Sequence, residues 1–216
     1  MMTRKRLSAV LAVALVLSAG LSLGAASLSG AAEDGLEIAT FAGGCFWCVE
    51  ADFDAVPGVV RTVSGYTGGT LADPTYKRVS AGGTGHREAV QIFYDPKRVA
   101  YPALVEIFWR SVDPTDGGGQ FCDRGRSYET AIFANSPEQK QQAEASKGAL
   151  EGSGVLNRPV VTPIEVAGRF YPAEDYHQDY YHKNPLRYGF YRYSCRRDAR
   201  VEELWGEEAY RGIATH

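Results

Sequence analysis

The chain has 216 residues, with 23 Lys and Arg against 26 Asp and Glu and a net charge of −3. Without the first 32 residues, which hold Arg4, Lys5 and Arg6 and no acid, 20 bases face 26 acids. That net charge of −6 argues against a nucleic-acid partner. Glu33 to His216 is long enough for one domain with its own core, so the four cysteines are not needed as staples.

Three bases at the start, then an apolar Ala-, Leu- and Val-rich run from Leu7 to Ala32, follow the order of a secretory signal. Gly20, Gly24, Gly30 and five serines interrupt the run, which favours cleavage between residues 26 and 32 over a spanning helix. The expected mature protein is exported, periplasmic or secreted, with no lasting membrane insertion, and monomeric.

Leu36 to Phe41 is expected as a strand leading into Gly43-Gly44. Phe46, Val49, Phe53 and Val56 then recur at helical spacing up to Pro57-Gly58. Val59 to Thr67 is a second strand, Gly68 to Gly85 a long loop with Gly and Asp-Pro turn signals, and Glu88 to Tyr94 an alternating strand. Tyr101-Pro102 opens a helix with Leu104, Ile107 and Phe108 on one face, and a Gly-rich loop runs from Asp113 to Tyr128. Thr130 to Ala134 is a short buried strand. Ser136-Pro137-Glu138-Gln139 supplies an N-cap, a helix-opening proline and a capping-box partner for a helix to Leu150. Val160 to Val166 is a strand that Pro163 confines to an edge. Residues 170–216, rich in Tyr, Arg and His, are expected as a long irregular tail wrapped over the domain, with a short helix near Asp198 to Tyr210. The architecture is a single α/β (α+β) domain over residues 33–216, a mixed sheet with packed helices.

Cys45 falls where a strand ends and a helix begins, so unpaired N–H groups and the positive end of the helix dipole should favour its thiolate. Cys45 and Cys48 have the spacing of a dithiol pair. The Phe46-Trp47 filling instead builds an apolar wall suited to a small nonpolar group. A zinc site joining Cys45 and Cys48 to Cys122 and Cys195 lacks a second close pair, because those two are 73 residues apart. Glu174, His177 and His182 are expected to form hydrogen bonds, and His86 to be structural.

The run Gly43-Gly44-Cys45-Phe46-Trp47 resembles the signature of the A-type peptide methionine sulfoxide reductases. The resemblance continues through Gly65 to Gly69, Asp73 to Tyr76, Thr84-Gly85-His86 with Glu88, Asp113 to Thr115, Asp123 to Tyr128 and Tyr176 to Pro185, and covers Leu36 to about Cys195. It implies a ferredoxin-like core and attack by Cys45 on the sulfur of a methionine (S)-sulfoxide, free or in oxidised proteins. Phe46 and Trp47 would hold the methyl group, Glu88 would give the proton, Tyr76 and Tyr128 would bind the oxygen, and Asp123 would position the substrate. The resulting sulfenic acid must be resolved by a second thiol, and a thioredoxin-like dithiol would recycle the enzyme without a bound cofactor or metal.

Cys195 is the expected resolving thiol, carried by a mobile tail and favoured as a thiolate by Arg196 and Arg197. Cys48 and Cys122 replace the glycine and asparagine common at those places and remain alternatives. Arg87 lies beside Glu88, but neighbouring strand positions face opposite sides, so little effect on Glu88 is expected. Three rival readings stand beside this one: an exported thiol-disulfide oxidoreductase using Cys45 and Cys48, a methionine-binding module without turnover, and a zinc-stabilised scaffold.

Overall fold

In the computed structural model, which describes residues 35–214, the chain begins with β1 (Glu37–Ala42), α1 (Phe46–Asp54) and β2 (Val59–Thr67). There follow α2 (Tyr76–Ser80), β3 (Arg87–Tyr94), α3 (Tyr101–Trp109), the short hairpin strands β4 (Gly119–Gln120) and β5 (Asp123–Arg124), and β6 (Ala131–Ala134). The remainder holds α4 (Pro137–Ser153), β7 (Ile164–Val166), β8 (Tyr171–Pro172), α5 (Tyr180–Lys183), α6 (Pro185–Ser194) and α7 (Arg197–Trp205). The expected signal segment lies outside the described residues. Among those residues, no helix is long and apolar enough to cross a membrane.

Six strands form one sheet in the order β7-β6-β1-β3-β2-β8. The inner four pair antiparallel. With α1 between β1 and β2 and α3 between β3 and β6, they make the β-α-β-β-α-β unit of a ferredoxin-like core. The edge strand β7 runs parallel to β6, so the whole sheet is mixed.

Alternation along β3 sorts its side chains. Val90, Ile92 and Tyr94 join Phe41, Phe46, Phe53, Leu104 and Phe108 in the main core, while Ala89 joins Ala42, Ala131 and Phe133 on the other face. Phe41 bridges the helices, with ring centroids 5.4 Å from Phe53 of α1 and 5.0 Å from Phe108 of α3. Phe170 covers the second face, which is why seven of the eight β3 residues are buried despite the polar ones among them. Glu88 follows the first face, toward α1. Arg87 follows the second and pairs with Glu165 at 3.0 Å and Glu129 at 3.5 Å, away from Glu88 as the alternation requires.

Several expectations need correction. Tyr76–Ser80 is helical inside what was expected as an unbroken loop, and β4, β5 and a 3₁₀ turn at Arg126–Tyr128 structure the second loop. Short elements of this kind are held by tertiary contacts, for which a local pattern gives no signal. The edge strand is only Ile164–Val166, because Pro163 offers no donor to extend it. Ser136 caps α4 by accepting from Gln139 N, but Gln139 Oε1 returns to Asn135 N at 3.0 Å, one residue before the expected capping-box partner.

The tail is not irregular. It adds β8 to the sheet edge and then three helices. Arg192 and Arg197 reach from the last two into the protein to Asp52 of α1, at 2.7 and 3.5 Å. Arg197 also donates to the carbonyls of Gly43 and Ser111, and Val201 and Trp205 complete the main core. Ionic anchoring, with few aliphatic side chains, is what the composition of this segment concealed.

Candidate active site

Cys45 is the N-cap of α1, 7% exposed, with its carbonyl accepting from Cys48 N and Val49 N. Gly44 before it has φ +86°, and a Cβ there would lie 2.6 Å from the Gln120 side chain, so the turn admits only glycine. The Phe46 N–H, expected to point freely toward the Cys45 sulfur, donates to Glu88 Oε2 at 3.0 Å.

Burial pushes the Cys45 thiol well above its ordinary range, with hydrogen bonding to Cys48 adding to the effect. Cys48 moves the opposite way. The hydrogen bond from Cys45 and the nearby guanidinium charges of Arg197 and Arg192 hold it below its ordinary value. Burial of Cys45 thus works against the ready thiolate expected at a helix start, while the two arginines favour the charged form of Cys48. Helix-end dipoles are weak beside desolvation and two buried cations.

Glu88 is 2% exposed and lies opposite Tyr66 in the β2–β3 register. Burial, reinforced by the charges of Asp123 and Cys48, raises its pKa to about 8 against the pull of the Phe46 N–H. At neutral pH it is a carboxylic acid with a proton to give. The Tyr76 and Tyr128 phenols pair with each other near the Glu88 carboxyl. Asp123, raised by burial, accepts from the Tyr191 hydroxyl, which is also within hydrogen-bonding reach of Cys45.

Aromatic rings wall this group. Phe46 stacks with Tyr76 at 6.4 Å, and His177 sits 5.0 Å from Phe46 and 4.5 Å from Tyr76. Trp47 donates from Nε1 to His177 Nδ1 at 3.0 Å and stacks on Tyr180 at 3.7 Å. Burial keeps His177 neutral, as an accepting Nδ1 demands. Glu174 fixes the rim by accepting from Tyr66 Oη and Tyr76 N, both at 2.9 Å. His86 is structural: its Nδ1 accepts from Gly69 N, and its Nε2 faces the Leu71 carbonyl at 2.8 Å.

Phe46, Trp47, Tyr76, Glu88, Asp123 and Tyr128 thus gather around Cys45, and the expected resolving thiol, Cys195, lies beside Asp123 but bonded to Cys122. Cys195 ends α6 and forms a disulfide with exposed Cys122. It is not a free thiol on a loose tail. A zinc site of all four cysteines is not formed, because two of them are bonded to each other. Sequence reasoning missed Tyr66, Tyr180, Tyr191 and the Asp52–Arg192–Arg197 cluster. One signal was present: Cys45, Cys48 and Asp52 fall on one face of α1, at i, i+3 and i+7.

The family model described as peptide methionine sulfoxide reductase matches residues 37–209. Peptide methionine sulfoxide reductase MsrA 2 of Rhizobium meliloti is 54% identical over 178 residues, covering 82% of this chain and 88% of the relative. MsrA of Bacillus velezensis is 56% identical over 169 residues, covering 78% and 96%. Among solved structures, methionine sulfoxide reductase A of Corynebacterium diphtheriae superposes with a TM-score of 0.64 at 36% identity, over 71% of this chain and 77% of that one. Reduced Mxr1 of Saccharomyces cerevisiae gives 0.65 at 31% identity, over 70% and 87%. With a buried thiol facing a protonated carboxyl inside an aromatic cradle, and with these matches across the domain, the chain belongs to the peptide methionine sulfoxide reductase family.

Proposed function

We propose that this chain reduces methionine (S)-sulfoxide, in oxidised proteins and as the free amino acid, using Cys45 as nucleophile and Glu88 as proton donor. As a member of its family it is an oxidoreductase acting on sulfur. The observation that carries the residue roles is the buried, neutral Glu88 held to Phe46 N, one residue from Cys45.

Cys45, as its thiolate, attacks the sulfoxide sulfur. Glu88 transfers its proton to the oxygen as the S–O bond of the substrate is replaced by an S–O bond on Cys45. The products are methionine, a Cys45 sulfenic acid and an ionised Glu88, which regains its proton from solvent. The Tyr76 and Tyr128 hydroxyls hydrogen-bond the oxygen as it gains negative charge. Phe46 and Trp47 receive the methyl group, whose burial contributes only about 0.8 kcal/mol and so mainly orients the substrate. Asp123 bounds the far side of the cradle.

The disulfide between exposed Cys122 and Cys195 supports recycling by an external thioredoxin-like dithiol, which meets Cys122 first. No bound cofactor is required. A thiol-disulfide exchange enzyme built on Cys45 and Cys48 alone leaves the protonated Glu88 and the aromatic cradle without a task.

Incubation of the full chain with the separate S and R sulfoxides of a methionine derivative plus dithiothreitol tests this reading. Thioether is expected from the S form only, and none from the S form after Cys45→Ser. Thioether from neither epimer refutes it.

A further inference from the structure

Among the described residues, one group of three metal-ligating side chains comes together: Cys122, Asp123 and Cys195, whose sulfurs and a carboxylate oxygen all lie within 4.8 Å of one another. We infer that these three residues, once their disulfide is opened, form a binding site for a zinc ion. The proposed recycling by an external dithiol passes through the opened pair, but the site needs only the two free thiols, whatever reduces them.

Three observations carry it. The first is size. Zn–S bonds are about 2.3 Å, so two sulfurs on a tetrahedral zinc stand about 3.8 Å apart, with a carboxylate oxygen at about 2.0–2.2 Å from the metal. The three ligand atoms already lie on that scale, and only the sulfurs, now bonded to each other, must separate. Cys122 is placed to give way, because it is exposed in the two-residue turn between β4 and β5. The other two ligands are held more firmly, Cys195 as the C-cap of α6 and Asp123 at the start of β5, paired with Gln120.

The second is the donor set. Thiolates select zinc over magnesium or calcium, and zinc accepts a carboxylate beside them, which leaves its fourth position to water. Two thiolates and a carboxylate carry three negative charges, of which zinc cancels two. The remaining one stands among cations: Arg196 and Arg197 follow Cys195 directly, and the Arg197 guanidinium lies 4.7 Å over the ring of Phe121, the neighbour of Cys122.

The third is orientation. The Tyr191 hydroxyl donates to Asp123 Oδ2, which fixes the carboxylate and leaves Oδ1 for the metal. A ligating carboxylate is ordinarily steadied by such an outer hydrogen bond. The Tyr191 ring in turn stands edge-on to Trp47 at 5.7 Å, so the site adjoins the wall of the substrate cradle.

The chemistry balances. Opening the disulfide takes two electrons and two protons from the reductant, and zinc then displaces the two thiol protons with no further change of oxidation state. Sulfurs held by zinc cannot exchange with a disulfide, so the ion stops recycling through this pair.

The test measures zinc bound per chain by competition with a chromophoric chelator, using the full chain with Cys122–Cys195 intact and again after treatment with a phosphine reductant. The intact chain sets the baseline, because Cys45 and Cys48 are already free thiols in it. Reduction should add one zinc per chain, and Cys122→Ser should abolish the gain. Losing an outer partner of a metal ligand costs about 10–100-fold in affinity, so Asp123→Asn, which loses a ligand, should weaken the added site by no less. A reduced wild-type chain that gains no zinc overturns the inference. So does a gain that survives Cys122→Ser, or an affinity unchanged in Asp123→Asn. None of these readouts depends on sulfoxide reduction, so the functional reading stands or falls separately.

Discussion

Glu88 owes its role to where alternation puts it. The β3 strand turns Arg87 to one side of the sheet and Glu88 to the other, where burial rather than any one neighbour keeps the carboxyl protonated up to about pH 8. Activity should therefore fall as pH rises through about 8, because Glu88 then lacks the proton it must give. Glu88→Gln should lower kcat/KM by roughly 10²–10⁴ and erase that alkaline limb from the remaining rate. The same shift has a stability consequence of definite sign. A carboxyl whose folded pKa exceeds its ordinary 4.5 contributes stability that is present below 4.5 and lost as pH rises through 8. Urea midpoints of Glu88→Gln should fall less across that window than those of the wild type, and a parallel decline would refute this account of Glu88.

At the level of elements, α1 and α4 show what local signals achieve. The α4 start was legible because Ser-Pro-Glu-Gln carries its own cap, and the Ser136 hydroxyl does accept from Gln139 N at 3.1 Å. Ser136→Ala should cost about 1 kcal/mol in chemical denaturation with activity unchanged, since the cap is remote from Cys45. The α1 start was legible as geometry, but its electrostatics were not. A helix terminus suggested a thiolate on Cys45; burial works against it there, while guanidinium groups contributed by elements far along the chain favour the charged form of Cys48. The α2 helix escaped detection because five residues cannot sustain a helix alone; Glu174, accepting from Tyr76 N, holds its first residue in place.

For the molecule as a whole, the joint between α1 and the C-terminal helices sets the shape of the site. Asp52 is fully buried and spans 140 residues of sequence to reach Arg192. Removing one partner of a buried ion pair leaves the other uncompensated, at a cost of about 3–5 kcal/mol. Asp52→Ala should therefore lower the denaturation midpoint by that order. It should also reduce activity, because α6 carries Tyr191 to Cys45 and Asp123. A variant of wild-type stability would show that Arg192 and Arg197 find other partners and that the joint does not hold the tail.

Periodicity, capping residues and turn chemistry suffice to place β1, α1, β2, β3, α3, β6 and α4, because each is encoded within its own span. The Gly-Gly-Cys-Phe-Trp run and the motifs after it likewise bring the family and most of the site to light. What only the tertiary structure decides depends on burial and on contacts between distant residues. Desolvation favours the neutral forms of Glu88 and Cys45, arginines from the tail favour the charged form of Cys48, and the approach of α6 to the β4–β5 hairpin pairs Cys195 with Cys122. A local pattern carries no record of how dry a side chain will be or which remote charge will face it, and those two quantities set the chemistry here.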